Sequence, residues 1–497
     1  MTDAVRAVEE RSTGLRKELR LAALVLVQIV LVVGSTWVGV AGKLGDAHVV
    51  YWVLAATLFF GPLAAVVVFL NDCWALEGGL YQWAKLGFGS ACGFLVGWNL
   101  WLWAVVNMAS LGLEVATSLS YALGPRGAWM ATSRPFIAVT SVLVIGTLAL
   151  ACAVGLHVGK WLHNAGGAVG IGTYAALILL PMVGLLAGAH VDWHPLRARA
   201  PHVTALSLNV LGKMGFGAFS GFEYVAIFAG EARAPSSAIR RATWVAGPIV
   251  VLMFVLGTSG VLTFSQPDSI DLIAPVPQAI ALGTRSLPAL TWLVPAVALG
   301  IAFRAMAWGS AAFAGVARLP MVAGWDGLVP AAFTRLHPRY KTPLWSVAVL
   351  AVSALAVGAV GMIGVGMQEA WQLFGNACLV FYALTYLVMF GIPLVAARSL
   401  PRRPGLPLRV ACASGFAMTL LFIVLSVVPI VEVESTWAFT AKIVVVIVVA
   451  NAVGVGLWVA AKRPRPPGPP PRDQGGGSVS GGRGKTLATR GGAGDSR

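Results

Sequence analysis

Long apolar runs dominate this sequence and restrict the folds that it can adopt. Runs of about 20 residues, the length that crosses a bilayer as a helix, follow one another between residues 21 and 460. Lipid offers no hydrogen bonds to a peptide backbone, so such segments span a membrane as α-helices. We therefore predict an all-α polytopic membrane protein with twelve transmembrane helices. They are predicted near residues 21–43, 49–71, 91–121, 135–156, 163–188, 205–231, 242–265, 289–317, 343–364, 369–396, 409–431 and 437–460.

The charged residues are few and unevenly placed. They make up 11% of the chain, against about 25% in a typical soluble protein, and mean hydropathy is +0.81. The net charge of +16 does not indicate nucleic acid as a partner, because 26 of the 35 Lys and Arg residues fall in segments on the side of both termini. Basic residues concentrate on the cytoplasmic side. We therefore expect a cell-membrane protein with lipid around it and both termini in the cytoplasm.

The ends of the chain are expected to lie outside the membrane. Residues 1–20 are polar and basic and are predicted to be a cytoplasmic segment that precedes the helical domain, residues 21–460. Residues 461–497 are rich in Pro, Gly and Arg, so a disordered cytoplasmic tail is predicted there. Five scattered cysteines form no CxxC pair, and neither a metal site nor a cofactor is expected.

Two spans carry weak points for a helix. In the sixth, GFGAFSGFEYVAIFAGEARAPSSAI (215–239) sets glycines and Ser220 close together and follows them with the carboxyl group of Glu223. In the first, Gly34, Ser35 and Thr36 lie near mid-membrane. These spans correspond if the first ten form two repeats of five, and interrupted helices at matching places indicate a binding site. Close packing of helices through small residues is the alternative explanation.

Three stretches carry a family resemblance. EGGLYQWAKLGFG (77–89) lies between the second and third predicted helices, GFEYVAIFAGEARAPSSAI (221–239) covers the sixth, and RLPMVAGWDGLVPAAFTRLHPRYKTP (318–343) joins the eighth to the ninth. With the order of spans, these stretches resemble the amino acid–polyamine–organocation (APC) superfamily of permeases over about residues 20–460. The first-helix break often reads GSGIF in that family and reads GSTWV here.

The resemblance implies a LeuT-type 5+5 inverted repeat. Repeat one would cover about residues 21–188 and repeat two about 205–396, with helices eleven and twelve at about 409–460. It also implies a secondary active transporter that moves an amino acid or related amine by alternating access, coupled to protons or by exchange. The backbone expected to hold the substrate carboxylate is that of Gly34, Ser35 and Thr36. The segment expected to hold the amine and close over the substrate is Phe219, Ser220, Gly221 and Phe222.

Four ionisable residues within predicted spans are candidates for binding, coupling or gating, because charge in a bilayer is costly. Glu223 is expected to accept the substrate amine or a proton, or to form a structural hydrogen bond to the first helix. Glu114 and Lys213 are expected to pair with each other, as a structural pair or as a gate. Arg304 would balance a substrate carboxylate or Glu223, or face water on the inner side.

Three uncharged residues within the predicted spans are also candidates for the site. Asn107 is a candidate for substrate binding, because a buried amide needs partners. Trp308 and Asn376 are candidates on the same argument. The segment SIDLIAPVPQAIALG, within 269–283, is predicted to form a short helix over the mouth of the site, as a gate or as a packed cap.

Other functional classes are less consistent with the sequence. A transport-inactive amino acid sensor with the same fold is the main alternative, and the GSTWV variation is its support. An enzyme is not expected, because the spans contain no HExxH or GxSxG motif. A channel is disfavoured because no repeated filter-like segment occurs.

Overall fold

The fold is described from a computed structural model, which covers residues 21–74, 76, 78–188, 196, 199, 202–224, 235–361, 367–396, 398–428 and 435–462. Every regular element in these ranges is helical, and they contain no strand. The α-helices are α1 (Leu21–Val32), α2 (Ser35–Gly42), α3 (His48–Ala55), α4 (Gly61–Cys73), α5 (Leu80–Phe88), α6 (Ser90–Leu123), α7 (Arg134–Val154), α8 (Leu156–Leu186), α9 (Ala205–Gly212), α10 (Pro235–Phe264), α11 (Pro275–Gly283), α12 (Leu293–Val316), α13 (Leu319–Trp325), α14 (Leu344–Gly361), α15 (Met367–Val395), α16 (Leu406–Ser426) and α17 (Thr436–Lys462).

Most of the predicted spans are present as long apolar helices. Within the described ranges, nine helical segments are long and apolar enough to cross a membrane, and the bent pair α1–α2 makes a tenth. Helix α14 is apolar but shorter, and the predicted span 205–231 is described only as far as Tyr224. The chain is therefore a polytopic helical membrane protein, while the number twelve stays a prediction.

The first span breaks where the sequence predicts. Helix α1 ends at Val32, α2 begins at Ser35, and their axes differ by 46°. Between them Gly34 has extended backbone, with φ −95° and ψ 134°. Residues after Gly34 resume a helix, so the interruption is confined to one kink. The predicted break in the first span is confirmed.

The sixth span also leaves α-helical geometry. Helix α9 is followed by a π-helix, Lys213–Ala218, and the chain then turns at Ser220 and Gly221. Gly221 has a φ of +114°, a conformation that glycine adopts readily and other residues rarely do. The predicted break is thus confirmed, and the later part of the motif, residues 225–234, lies outside the described residues.

Close approach of glycines to large side chains brings the two breaks together. A Cβ atom on Gly217 would lie 2.5 Å from Cη2 of Trp37, so the indole ring packs directly on the π-helix. A Cβ on Gly221 would lie 3.4 Å from Cγ2 of Val32. The tryptophan of GSTWV is therefore accommodated by a missing side chain on the partner helix.

Surrounding helices hold the broken ones in place. Helix α12 packs against α6 and α8, and α15 packs against α6 and α16. The predicted short helix after the seventh span is confirmed as α11, which begins at Pro275. A Cβ on Gly39 of α2 would lie 2.8 Å from Cβ of Pro275, so this helix rests on the second half of the first span.

The cysteines form no disulfide bonds among themselves. All five cysteines are free, with Cys152, Cys378 and Cys412 buried and Cys73 and Cys92 partly buried. The predicted disordered tail, beyond Lys462, and the predicted N-terminal segment, residues 1–20, lie outside the described residues.

Candidate functional site

A cavity of about 250 Å³ lies between the two breaks. This volume is slightly below the range of about 300–1,000 Å³ that drug-sized ligands occupy, so it suits a small metabolite. Its wall includes ten of the predicted site residues: Gly34, Thr36, Asn107, Glu114, Lys213, Ser220, Gly221, Arg304, Trp308 and Asn376.

The carbonyl groups of the first break already have partners. Where a helix ends, its last carbonyls lose their intrahelical donors. Here the Leu31 carbonyl accepts from Nε1 of Trp308 at 3.2 Å, and the Val33 carbonyl accepts from Nη1 of Arg304 at 2.8 Å. The Gly34 carbonyl accepts from the Tyr174 hydroxyl at 3.1 Å. Side chains of α12 and α8 thus satisfy three acceptors of this break.

The amides at the start of α2 have the opposite situation. The first N–H groups of a helix have no intrahelical acceptor and carry the positive end of its dipole. These groups are the backbone amides of Ser35 and Thr36. Gly34, which precedes them, has no side chain that could accept a hydrogen bond from them. With the carbonyls occupied, the first break offers donors, and it therefore suits an anion.

The second break is organised around a buried carboxylate. Glu223 is fully buried and accepts hydrogen bonds from the hydroxyls of Tyr382 and Tyr386. The Gly221 amide donates to Oε2 of Glu223 at 3.1 Å and to the Tyr386 hydroxyl at 2.9 Å. The Gly221 donor of this break is therefore used. The Phe216 carbonyl accepts from the Ser220 amide at 3.0 Å, and the Gly217 carbonyl accepts from the Ser220 hydroxyl at 3.4 Å. The turn residues Ser220 and Gly221 themselves line the cavity.

Aromatic rings close the cavity on the α1 side. Trp103 stacks on Tyr382 with ring centroids 4.5 Å apart, and it contacts Tyr224 at 5.6 Å and Trp308 at 6.0 Å. All four residues line the cavity. On the α2 side the wall includes Leu272, from the segment that precedes α11. Apolar side chains therefore border the polar centre of the cavity at both ends.

The ionisable residues on the wall pair differently from the prediction. Nη2 of Arg304 lies 3.8 Å from Oε1 of Glu114, whereas Nζ of Lys213 donates to Oδ1 of Asn376 at 3.2 Å. The predicted Glu114–Lys213 pair is therefore wrong. Glu114 on α6 faces α12, and Lys213 faces α15, because helix packing rather than depth in the membrane decides which charges meet.

The sequence is similar to those of a known protein family. The model of the amino acid permease family (AA_permease_2) matches residues 18–450, which is most of the chain. The chain belongs to the amino acid permease family. The permease is 23% identical, over 78% of its own length and 83% of the relative's, to an uncharacterized transporter of Legionella pneumophila. It is 26% identical to the branched-chain amino acid permease BcaP of Lactococcus lactis, over 63% and 69% of the two chains.

A further relative is named for amines. It is the probable agmatine/putrescine antiporter AguD of Lactococcus lactis, 19% identical over 78% of the permease and 82% of that protein. The family and these relatives are transporters rather than enzymes. The predicted resemblance to APC permeases is confirmed, and the comparisons support transport of amino acids or amines.

Four predicted site residues of the permease do not line the cavity: Ser35, Phe219, Phe222 and Glu223. Phe219 packs instead between Trp52 and Phe60, and Phe222 packs on Phe60. Glu223 is held by the two tyrosines of α15 rather than by the first helix. Its position supports the break from behind the cavity wall.

Sequence reasoning missed several wall residues on α15 and α6. Tyr382, Cys378 and Trp103 all line the cavity. Cys378 donates to the Trp103 carbonyl at 3.3 Å and accepts from Nδ2 of Asn107 at 2.6 Å. A tyrosine four residues before Tyr386 in an apolar helix was the available signal, since a buried hydroxyl needs a partner.

Two of the resemblance motifs contact each other away from the cavity. In α5, Lys85 Nζ lies 2.6 Å from Oδ1 of Asp326, and the Tyr81 hydroxyl donates to Oδ2 at 2.6 Å. Asp326 follows α13, in the loop motif that precedes the ninth predicted span. Burial and then the bond to Asp326 raise the pKa of Tyr81, so it stays a donor at neutral pH. This contact ties the connection of the first predicted repeat to that of the second.

Proposed function

We propose that this permease is a twelve-helix secondary transporter that moves an amino acid or related amine by alternating access. The proposal includes a 5+5 repeat with two further helices, location in the cell membrane with both termini cytoplasmic, and coupling to protons or exchange. The names of the relatives, a branched-chain amino acid permease and a probable agmatine/putrescine antiporter, support this substrate class.

One observation carries the proposal. The first break has three carbonyls occupied by Arg304, Trp308 and Tyr174 and leaves the amides that begin α2. The second break has its Gly221 amide occupied by Glu223 and Tyr386, so it would receive an ammonium group through backbone oxygens rather than an anion through that amide. An α-amino acid carries a carboxylate and an ammonium group, and it can satisfy both breaks at once. Complementary breaks facing one small cavity are what binding of a zwitterion requires.

The fold also suits alternating access. The broken helices contact each other through Trp37 and Gly217. Rocking of one group of helices against the other would open the cavity first past Leu272 and then past Tyr224, while the site itself changes little. The apolar borders at both ends would act as the two gates.

The test is uptake by the purified full-length permease in liposomes. A panel of the common amino acids, agmatine and putrescine should include at least one compound that accumulates, with its rate changed by a proton gradient or by counter-substrate inside. Ser220→Trp fills the cavity and should abolish uptake. Thr147→Trp, on the exposed face of α7, is the matched control and should transport normally.

Three results would contradict the proposal. Uptake of no compound under any gradient would remove the substrate class. Binding of a compound without any flux would indicate a sensor that kept the fold and lost transport. Normal transport by Ser220→Trp would show that the substrate does not pass through this cavity.

A further inference from the structure

The cavity wall of the permease carries an unequal set of charges. Among the residues that the structure describes, its acidic and basic side chains are Glu114, Lys213 and Arg304, one acidic and two basic. Glu223 does not add a negative charge to the wall, because it lies behind it and is enclosed by Tyr382 and Tyr386. The wall therefore has a net positive charge.

Arg304 does not account for this excess. Its guanidinium group is 3.8 Å from the Glu114 carboxylate and donates to the Val33 carbonyl. The ion pair neutralises its charge, and the carbonyl fixes its direction. A substrate carboxylate at Arg304 would have to compete with a partner that is already in place.

Lys213 is the unneutralised charge. It is 5% exposed, its Nζ donates to the neutral amide of Asn376, and no carboxylate of the described residues lies within 4.0 Å of it. An ammonium group has three donors, and a buried cation without a counter-charge is costly. A ligand that brings a carboxylate to this point would remove that cost.

The location of Lys213 separates it from the breaks. It begins the π-helix, seven residues before Ser220, so its backbone lies more than one helical turn from the second break. An amino acid whose α-groups sit at the breaks would direct its side chain along the cavity wall. The end of that side chain, rather than the α-carboxylate, then lies near the ammonium group.

We propose that the substrate is an amino acid with a carboxylate in its side chain, and that Lys213 with Asn376 binds this second carboxylate. The inference rests on the proposed function, because it places the α-groups at the breaks. Lys213 is thereby the residue that determines specificity for acidic over neutral side chains, and Asn376 positions its ammonium group.

The test compares glutamate, aspartate, glutamine and leucine as substrates of the full-length permease in liposomes, with affinity measured by competition. The acidic compounds should bind about tenfold to a hundredfold more tightly than glutamine, the range expected for a hydrogen bond between charged groups. Lys213→Ala should lower the affinity for the acidic compounds to about that for glutamine, a clearly larger loss than the one it causes for glutamine. Lys442→Ala, an exposed lysine on α17, is the control and should change neither.

A second variant tests the same contact in case Lys213→Ala does not fold. Asn376→Asp keeps the lysine and supplies an internal carboxylate where its amide now accepts a hydrogen bond. It should reduce the affinity for the acidic amino acids much more than the affinity for leucine.

Three outcomes would overturn the inference. Preference for glutamine or leucine over the acids would overturn it while leaving the proposed function intact. Equal losses for glutamate and glutamine in Lys213→Ala would mean that the lysine binds the α-carboxylate that both share. Transport of no compound in any arm would remove the proposed function, and the inference with it.

Discussion

Gly221 allows the most direct test of whether the break in the sixth span is required. Its φ of +114° is outside the conformations that residues with a Cβ adopt without strain. Space is not the obstacle, because a Cβ there would be 3.4 Å from Cγ2 of Val32 and 3.5 Å from the Leu31 carbonyl oxygen. The effect of Gly221→Ala is therefore mainly conformational.

The expected magnitude follows from that backbone conformation. Holding a non-glycine residue in such a region costs about 1–3 kcal/mol, which is about fivefold to 150-fold in an equilibrium constant. Either the folded protein loses this stability, or the turn relaxes and the Gly221 amide leaves Glu223 and Tyr386. Relaxation of the turn moves backbone that lines the cavity, so weaker substrate binding is expected by that route.

Gly375→Ala is the matched control. Gly375 also lines the cavity, but it lies within helix α15, and a Cβ there would meet nothing within 4 Å. The assay is thermal unfolding of each purified variant in detergent, together with substrate affinity in liposomes. Gly221→Ala should unfold at a lower temperature and bind more weakly, whereas Gly375→Ala should match the original chain. Unchanged stability and affinity in Gly221→Ala would refute the requirement for this turn.

Three further predictions concern single contacts. Gly217→Ala should lower the unfolding temperature, because the added methyl group overpacks against Trp37 at a cost of about 1–3 kcal/mol. Adding Trp37→Phe, which removes the outermost ring atoms, should restore part of the lost stability. Additive effects of the two substitutions would contradict the contact. Tyr386→Phe removes a donor to Glu223 and an acceptor for the Gly221 amide, so it should cost about 1–3 kcal/mol in thermal unfolding, clearly more than Tyr51→Phe, whose hydroxyl makes one 3.3 Å bond. Because the pKa of Tyr81 is raised in the folded protein, the stability that its hydroxyl contributes is present below the usual tyrosine pKa of about 10 and is lost as the pH rises above it. The difference in thermal stability between the original chain and Tyr81→Phe should therefore shrink above that pH. A difference that does not change with pH would contradict the assignment.

The breaks could be predicted from sequence because their cause is local. Gly34 and Gly221 permit backbone that other residues resist, and an apolar context makes that backbone conspicuous. The short helix that begins at Pro275 was predictable for the same reason, since proline and apolar spacing are local signals.

Partners across helices could not be predicted in the same way. Lys213 and Glu114 lie at similar predicted depths, yet they face α15 and α12 respectively. The rotation of each helix about its axis is set by packing of many side chains on several neighbours, and one sequence does not reveal it. Glu223 was recognised as unusual, but its partners Tyr382 and Tyr386 lie about 160 residues away.

The central claim is that substrate binds in the cavity between the two broken helices, and Cys378 on its wall provides a direct reporter. In a variant that keeps Cys378 and replaces the other four cysteines by alanine, the rate of reaction with a small thiol reagent should be measured with and without a transported amino acid. Saturating substrate should slow the reaction strongly, while a compound that is not transported should leave it unchanged. An equal rate with and without saturating substrate would contradict binding at this site.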